Sequence, residues 1–224
     1  SRQLTIPSMY VEQGCFVHLA EAVKGRVSIP VVAVGRIKRP EMADEIIRDR
    51  KADMVALGRS LLADPQWPAK ARRGAARTIR PCIGCCLGCI HAVFQLEPGG
   101  CVVNPDVGRE HLLPDRIEPA AEPRRCLVVG AGPAGLAAAR MLALRGHAVT
   151  VCDRQPQAGG ALRLAAQPPG RSELMDILAY FMEALAALTV DLRRNRALDE
   201  ELLRTLAPED VVLATGSLPD MPML

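Results

Sequence analysis

The amino-acid sequence predicts an α/β chain in which two regions of parallel strand–helix–strand structure flank a cysteine-rich loop. Three observations predict it. Two short apolar runs, each leaving into Gly-Arg, bracket an amphipathic stretch within residues 31–59; five of the eight cysteines fall within residues 82–101; and a strand, a G-x-G-x-x-G turn, a helix and a second strand follow in order over residues 126–152.

A chain of 224 residues holds one large domain or two modest ones, since domains run to roughly 100–200 residues. Its formal charge of +3 comes from 28 basic and 25 acidic side chains spread along the whole length. No patch stands out that would bind nucleic acid or an acidic membrane, so the expected partner is a small molecule. The bases are mostly Arg amid abundant Ala and Leu, so a single Arg counts only with a motif behind it. No apolar run approaches the roughly 20 residues that span a bilayer, and Ser1-Arg2-Gln3 does not open a secretory signal. A cytoplasmic protein is expected. In that reducing compartment, crowded cysteines point to a metal or cofactor site rather than a disulfide framework. The chain begins at Ser1 and ends at Met221-Pro222-Met223-Leu224 straight after a strand with no closing helix, as a piece of a longer enzyme would.

The first region reads β-α-β. Val31 to Val34 is an apolar run after Pro30, Glu41 to Arg50 carries Met42, Ile46 and Ile47 as a helical stripe, and Asp53 to Leu57 is a second buried-strand pattern. A helical stretch from Pro65 to Gly74 follows. The strands end in Gly35-Arg36 and Gly58-Arg59, at the carboxyl ends where α/β proteins bind ligands. Glycine admits close approach of the backbone to a phosphate, and arginine adds charge-assisted hydrogen bonds to its oxygens. In (β/α)8 barrels the phosphate site lies in the loops after the last two strands, so consecutive Gly-Arg exits fit the final quarter of such a barrel. By themselves the same residues equally fit turn glycines and surface arginines.

The second region is Pro81-Cys82-Ile83-Gly84-Cys85-Cys86-Leu87-Gly88-Cys89, followed by Cys101-Val102-Val103-Asn104-Pro105. Three thiolates on a glycine-containing loop can wrap one face of a [4Fe–4S] cluster, and a fourth from a returning segment can close it. Gly84 and Gly88 relax the backbone so that sulfurs converge and amide N–H groups point at the cluster. A structural zinc also takes four thiolates, but zinc ribbons pair two knuckles and Cys101 has no second cysteine beside it. Spacing leaves open whether Cys85 or Cys86 is the ligand.

Residues 106–124 read as a linker. Then Cys126 to Val129 is a buried strand, Gly130-Ala131-Gly132-Pro133-Ala134-Gly135 the turn, Leu136 to Arg145 a helix ending at Gly146, and His147 to Cys152 the next strand, ending at Asp153. This is the dinucleotide fingerprint: glycines for a tight turn and close approach, a helix N-terminus facing a pyrophosphate, and a carboxylate for ribose hydroxyls. Gly159-Gly160-Ala161-Leu162 reads as a mobile loop, Glu173 to Leu188 as a helix, and Val211 to Ser217 as a strand leaving into a small-residue turn. None of His18, His91, His111 and His147 sits in a catalytic constellation.

Together, Val34-Gly35-Arg36-Ile37, Ala56-Leu57-Gly58-Arg59, Ala63-Asp64-Pro65, the C-x2-C-x3-C-x11-C set and the glycine turn resemble the NADH:flavin oxidoreductases of the 2,4-dienoyl-CoA reductase and trimethylamine dehydrogenase group. The resemblance covers most of the chain. It implies the C-terminal end of an FMN-binding (β/α)8 barrel of the old yellow enzyme type over residues 1–80, a cluster loop and linker over 81–123, and the first part of a Rossmann-like FAD-binding domain over 124–224. By the same resemblance Gly35, Arg36, Gly58 and Arg59 hold the FMN phosphate, and Cys82, Cys85, Cys89 and Cys101 hold the cluster. Cys86 falls where these reductases carry a non-ligand such as Asn. Gly130, Gly132, Pro133, Ala134, Gly135, Asp153, Gly160, Thr215 and Gly216 would bind FAD, or ADP, since Ala161 stands where the reductases often carry Gln. The three residues between Cys85 and Cys89 resemble the reductases more than trimethylamine dehydrogenase.

The resemblance implies an electron relay from NAD(P)H to FAD, cluster and FMN, and then to an activated alkene such as an enoyl or dienoyl thioester. The family alternative is oxidative demethylation of an N-methylated amine; from another class, the chain would be a non-enzymatic zinc- and nucleotide-binding module. Substrate-protonating residues would lie on earlier barrel strands, so this chain alone is expected to turn nothing over.

Overall fold

The computed structural model describes residues 5–112 and 117–217 and divides into two units. The first takes in residues 1–113 and 169–180, the second residues 114–168 and 181–224. Among the described residues no helix is long and apolar enough to cross a membrane.

The first unit runs through α1 (Val17–Lys24), β1 (Val32–Ala33), α2 (Pro40–Arg48), β2 (Met54–Val55), α3 (Arg59–Ala63), α4 (Trp67–Arg72), a 3-10 turn at Ala76–Thr78 and a π-helical turn at Leu87–His91 that continues into α5 (Ala92–Gln95). β1 and β2 pair in parallel, Val32 opposite Met54 and Ala33 opposite Val55, which is the expected β-α-β unit. The core gathers Ala33, Ile37, Ala43, Ile46, Ala52, Trp67 and Ile79. Helix α2 starts at Pro40, whose fixed φ is ready for a first helical turn. Its buried stripe is Ala43 and Ile46 with Met42 packed alongside, so Met42 and Ile46 lie on the core as expected while Ile47 is 39% exposed. The strands depart from expectation in a second way: only one face is buried. Because strand side chains alternate, Val31 and Ala33 are buried while Val32 (47%), Val34 (53%) and Met54 (49%) stay exposed.

The second unit is a four-stranded parallel sheet in the order β5-β4-β3-β6, built from β3 (Arg125–Val129), α6 (Pro133–Leu144), β4 (Ala148–Cys152), α7 (Ala161–Ala165), the later part of α8 (Leu174–Ala187), β5 (Asp191–Arg193), α9 (Glu200–Leu206) and β6 (Asp210–Leu213). The central strand β3 buries Cys126 to Val129. Strand order reverses between β3 and β6, and ligands bind outside the carboxyl ends of strands at such a switch point. Helix α6 begins three residues earlier than expected because Pro133 takes its first position, drawing the end of the glycine turn into the helix. The expected mobile loop is also corrected. The Gly159 N–H donates to Ala131 O at 2.7 Å, and Ala161 opens α7 directly after Gly160. Helix α9, which periodicity did not reveal, is capped by Asp199, whose Oδ1 accepts the Leu202 N–H at 2.7 Å. Residues 113–116 of the expected linker and the terminal Met221-Pro222-Met223-Leu224 lie outside the described residues.

Candidate functional site

Both Gly-Arg exits open into one cavity of about 210 Å3, lined by Gly35, Arg36, Gly58 and Arg59 together with Cys82 and Gly84. The two glycines serve different ends. Gly35 has φ +122°, and a Cβ there would stand 2.8 Å from Phe16 Cδ2, so local conformation and packing already require it. Gly58 has an ordinary φ of −87°, and a Cβ there would meet nothing within 4 Å. It is the open approach to the cavity.

The arginines divide similarly. The Arg59 guanidinium donates to Pro7 O at 2.7 Å and to Cys86 Sγ at 3.0 Å. Arg36, in the left-handed region at φ +54°, donates instead to Glu173 Oε2 at 2.5 Å, with both side chains largely buried. Lys38 joins the same carboxylate at 2.9 Å and reaches Asp176 at 3.0 Å, and Gln13 donates to Glu173 Oε1 at 2.9 Å. Sequence reasoning missed Glu173 and Asp176. The Arg36 partner lies 137 residues away, where no spacing signal reaches.

Burial would raise the Glu173 carboxyl, but hydrogen bonds from Lys38 and Gln13 and the charges of Lys38 and Arg36 outweigh it and hold the group below its ordinary value. A depressed carboxylate stabilises the fold above its unfolded pKa, and that contribution is lost as pH falls through the lower folded value. Glu173→Gln is therefore expected to cost about 3 kcal/mol near neutral pH by leaving the buried Arg36 without a carboxylate partner. The difference from the unaltered protein should shrink below about pH 4 as the native carboxyl protonates. Urea denaturation across that range measures it, and a difference that does not change with pH would rule out an ionised Glu173.

The cysteine loop is pinned to the first unit at both arms. Asp64, 2% exposed, accepts the Arg80 N–H and Lys70 Nζ on Oδ2 at 2.8 and 2.6 Å and the Gln66 N–H on Oδ1 at 3.0 Å, fixing the chain two residues before Cys82. Asn104, 3% exposed, donates to Leu62 O at 2.8 Å and fixes the arm after Cys101. Between them the Gly100 N–H donates to Gly88 O at 2.7 Å, joining the residues that precede Cys101 and Cys89. A Cβ at Gly88 would stand 3.0 Å from Gly100 O, so a larger residue there would push this pairing apart by a few tenths of an ångström.

Burial raises the thiols of Cys82, Cys85 and Cys89, and backbone N–H groups of Gly84, Leu87 and Ile90 respectively oppose it. The thiols are also within electrostatic reach of one another: Cys101 acts on Cys82; Cys82, Cys101 and Cys86 act on Cys85; and Cys86, Cys82 and Cys85 act on Cys89. Cys86 occupies the left-handed region at φ +59°, a conformation that favours Asn among ordinary residues. Among the described residues no group of three or more His, Cys, Asp or Glu side chains is placed to hold a single metal ion. All eight cysteines are unpaired. Closely spaced cysteines, with backbone N–H groups turned on Cys82, Cys85 and Cys89, are donor chemistry suited to a thiolate-bound centre. In the same loop Arg80 Nε is buried and has no hydrogen-bond partner.

In the second unit the three fingerprint glycines separate by role. A Cβ on Gly130 (φ +107°) would stand 2.3 Å from Ala214 O, and one on Gly135 would stand 1.9 Å from Gly130 O. Gly132, at the N-cap of α6, would meet nothing within 4 Å. That is the division expected of a tight turn, a close helix–strand contact and an open approach for a pyrophosphate. Pro133 and Ala134 lie exposed in the first helical turn, and Gly160 packs on Gly132, its Cβ position 3.3 Å from Gly132 Cα. Asp153 accepts the Ala131 N–H at 2.7 Å and the Gln155 N–H at 2.8 Å, bracing the turn while lining a cavity of about 440 Å3. Thr215 and Gly216 line that cavity too, as do Arg154 and Arg196, which sequence reasoning missed. Arg196 is brought there by its N–H bond to Asp153 O, a contact without a motif.

Residues 6–78 match the NADH:flavin oxidoreductase / NADH oxidase family, and residues 128–184 match the NAD(P)-binding Rossmann-like domain. The chain is 43% identical to a metal reductase of Desulforamulus reducens over 96% of its length and 32% of the relative's. It is 42% identical to an NADH oxidase of Thermoanaerobacter brockii over 97% of its length and 33% of the relative's. A 2-naphthoyl-CoA reductase structure superposes with a TM-score of 0.92 at 31% identity, over 96% of this chain and 33% of that one. The chain thus spans about a third of the length of these relatives. Its α/β class, the end of a (β/α)8 barrel followed by a Rossmann-like region, agrees with them.

Proposed function

We propose that this chain, whose first part belongs to the NADH:flavin oxidoreductase / NADH oxidase family, is the cofactor-bearing middle of an iron–sulfur flavoprotein that reduces an activated alkene, such as an enoyl or dienoyl thioester, with NAD(P)H. The observation that carries this reading is the first cavity, whose lining holds both Gly-Arg exits and Cys82. In it, Gly58 leaves room for a phosphate and Arg59 supplies a charge, while Gly35 and Arg36 shape the wall. Glu173 neutralises Arg36, so Arg59 carries more of the work of anion binding. Cys82, Cys85, Cys89 and Cys101 are the cluster ligands, and Cys86 braces Arg59 instead. Gly130, Gly132, Gly135 and Asp153 form the FAD turn, and Thr215 and Gly216 line the same cavity as Gly130 and Asp153. When bound, these groups supply hydride acceptance from NAD(P)H at FAD, single-electron passage through the cluster and hydride delivery from FMN. The unpaired cysteines suit a reducing, cytoplasmic setting.

The test is metal and flavin analysis of the anaerobically purified full-length protein, followed by NAD(P)H oxidation with and without an enoyl thioester. Expected are about four irons per chain, bound FMN and FAD, and alkene-dependent oxidation. Zinc without iron would sink the reading, and oxidation of an N-methylated amine without alkene reduction would reverse the direction of electron flow.

A further inference from the structure

Arg80 Nε is, among the described residues, the buried side-chain nitrogen or oxygen that lacks any hydrogen-bond partner. Such a group is costly, since a buried donor without an acceptor forfeits its hydration, and more so when it belongs to an ion. The rest of Arg80 is held. Its backbone N–H is bound by Asp64 Oδ2 at 2.8 Å and one terminal nitrogen donates to Val103 O at 3.3 Å. These contacts stretch the side chain from the entry arm, two residues before Cys82, to the return arm, two residues after Cys101. The Nε–H is therefore buried on a side chain that runs from the entry arm of the cysteine-bearing loop to its return arm, with no protein acceptor for it.

Resting on the four-thiolate reading above, we infer that Arg80 is a positioning and tuning residue for the cluster, its Nε–H donating to a sulfur of the bound centre. A thiolate-bound cluster offers negatively charged sulfur acceptors, which suits a charge-assisted bond. Arginine keeps its charge at every accessible pH and so contributes a constant field. A positive charge and a hydrogen bond both favour the reduced, more negative form and raise the reduction potential.

The test is a redox titration of the anaerobically purified full-length protein, read by electron paramagnetic resonance of the reduced cluster. Arg80→Gln should weaken the preference for the reduced form about tenfold, a fall of about 59 mV for one electron. Arg80→Lys, which keeps the charge and loses Nε–H, should fall between that variant and the unaltered protein. It should also lose an exchangeable-proton coupling seen by electron–nuclear double resonance. An unchanged potential in iron-replete Arg80→Gln overturns the role of Arg80 alone. Should that variant fail to hold iron, Arg80→Lys decides: a potential and proton coupling equal to those of the unaltered protein overturn it. Zinc in place of iron in the unaltered protein overturns the iron–sulfur reading along with it.

Discussion

Replacing Gly135 with alanine should collapse the nucleotide turn, whereas the same change at Gly132 should leave the fold standing and empty the site. At Gly135 the added Cβ would lie 1.9 Å from Gly130 O, a backbone atom that cannot swing aside. Gly130 itself is held against Ala214, so the strain passes to the exit of β6. Overpacking of this kind costs about 3 kcal/mol or more. At Gly132 the new methyl would meet no protein atom, and φ of −76° suits any residue. The penalty to folding there is a few tenths to about 1 kcal/mol, from a poorer N-cap. Nucleotide affinity should nonetheless fall at least tenfold, about 1.4 kcal/mol, because the methyl fills the approach to a pyrophosphate. Denaturation midpoints and bound-nucleotide content of the two full-length variants separate these effects. Full nucleotide content in Gly132→Ala would show that this face is not the binding face.

The second large effect concerns which cysteines hold metal. Serine at Cys82, Cys85, Cys89 or Cys101 should reduce iron from about four per chain to near zero, because each removes one of four required thiolates. Cys86→Ala should keep the iron. Its sulfur accepts from Arg59 at 3.0 Å, so the loss should appear as weaker FMN retention, on the order of the 1 kcal/mol that such a bond contributes. Iron and FMN assays on the same preparations read both. Iron lost in Cys86→Ala and kept in Cys85→Ser would exchange the two assignments.

Local patterns were the legible part. The glycine turn, the β-α-β units and the cysteine spacing each follow from contacts within a few residues, where backbone geometry dictates residue type. In α2, Met42 and Ile46 lie as expected, but the small Ala43 is buried where Ile47 was expected and Ile47 stays exposed. The Glu173 network and the Asp64 hub were not legible. An ion pair such as Arg36–Glu173 depends on how distant segments meet, and it leaves no periodicity behind. Asp64 was visible only as part of an Ala-Asp-Pro resemblance, although its carboxylate links α4 to the cysteine loop. Helix α7 hid behind two glycines that read as flexibility while in fact forming a fixed turn.

The half-covered pair of strands in the first unit bears on how the polypeptide behaves in isolation. Val32, Val34 and Met54 present a contiguous apolar stripe on a two-stranded parallel ribbon that, among the described residues, pairs with no further strand. Ribbons of this kind recruit further strands. Expressed apart from any covering chain, these residues should therefore self-associate into insoluble material, and chaperone dependence should fall once the stripe is sealed.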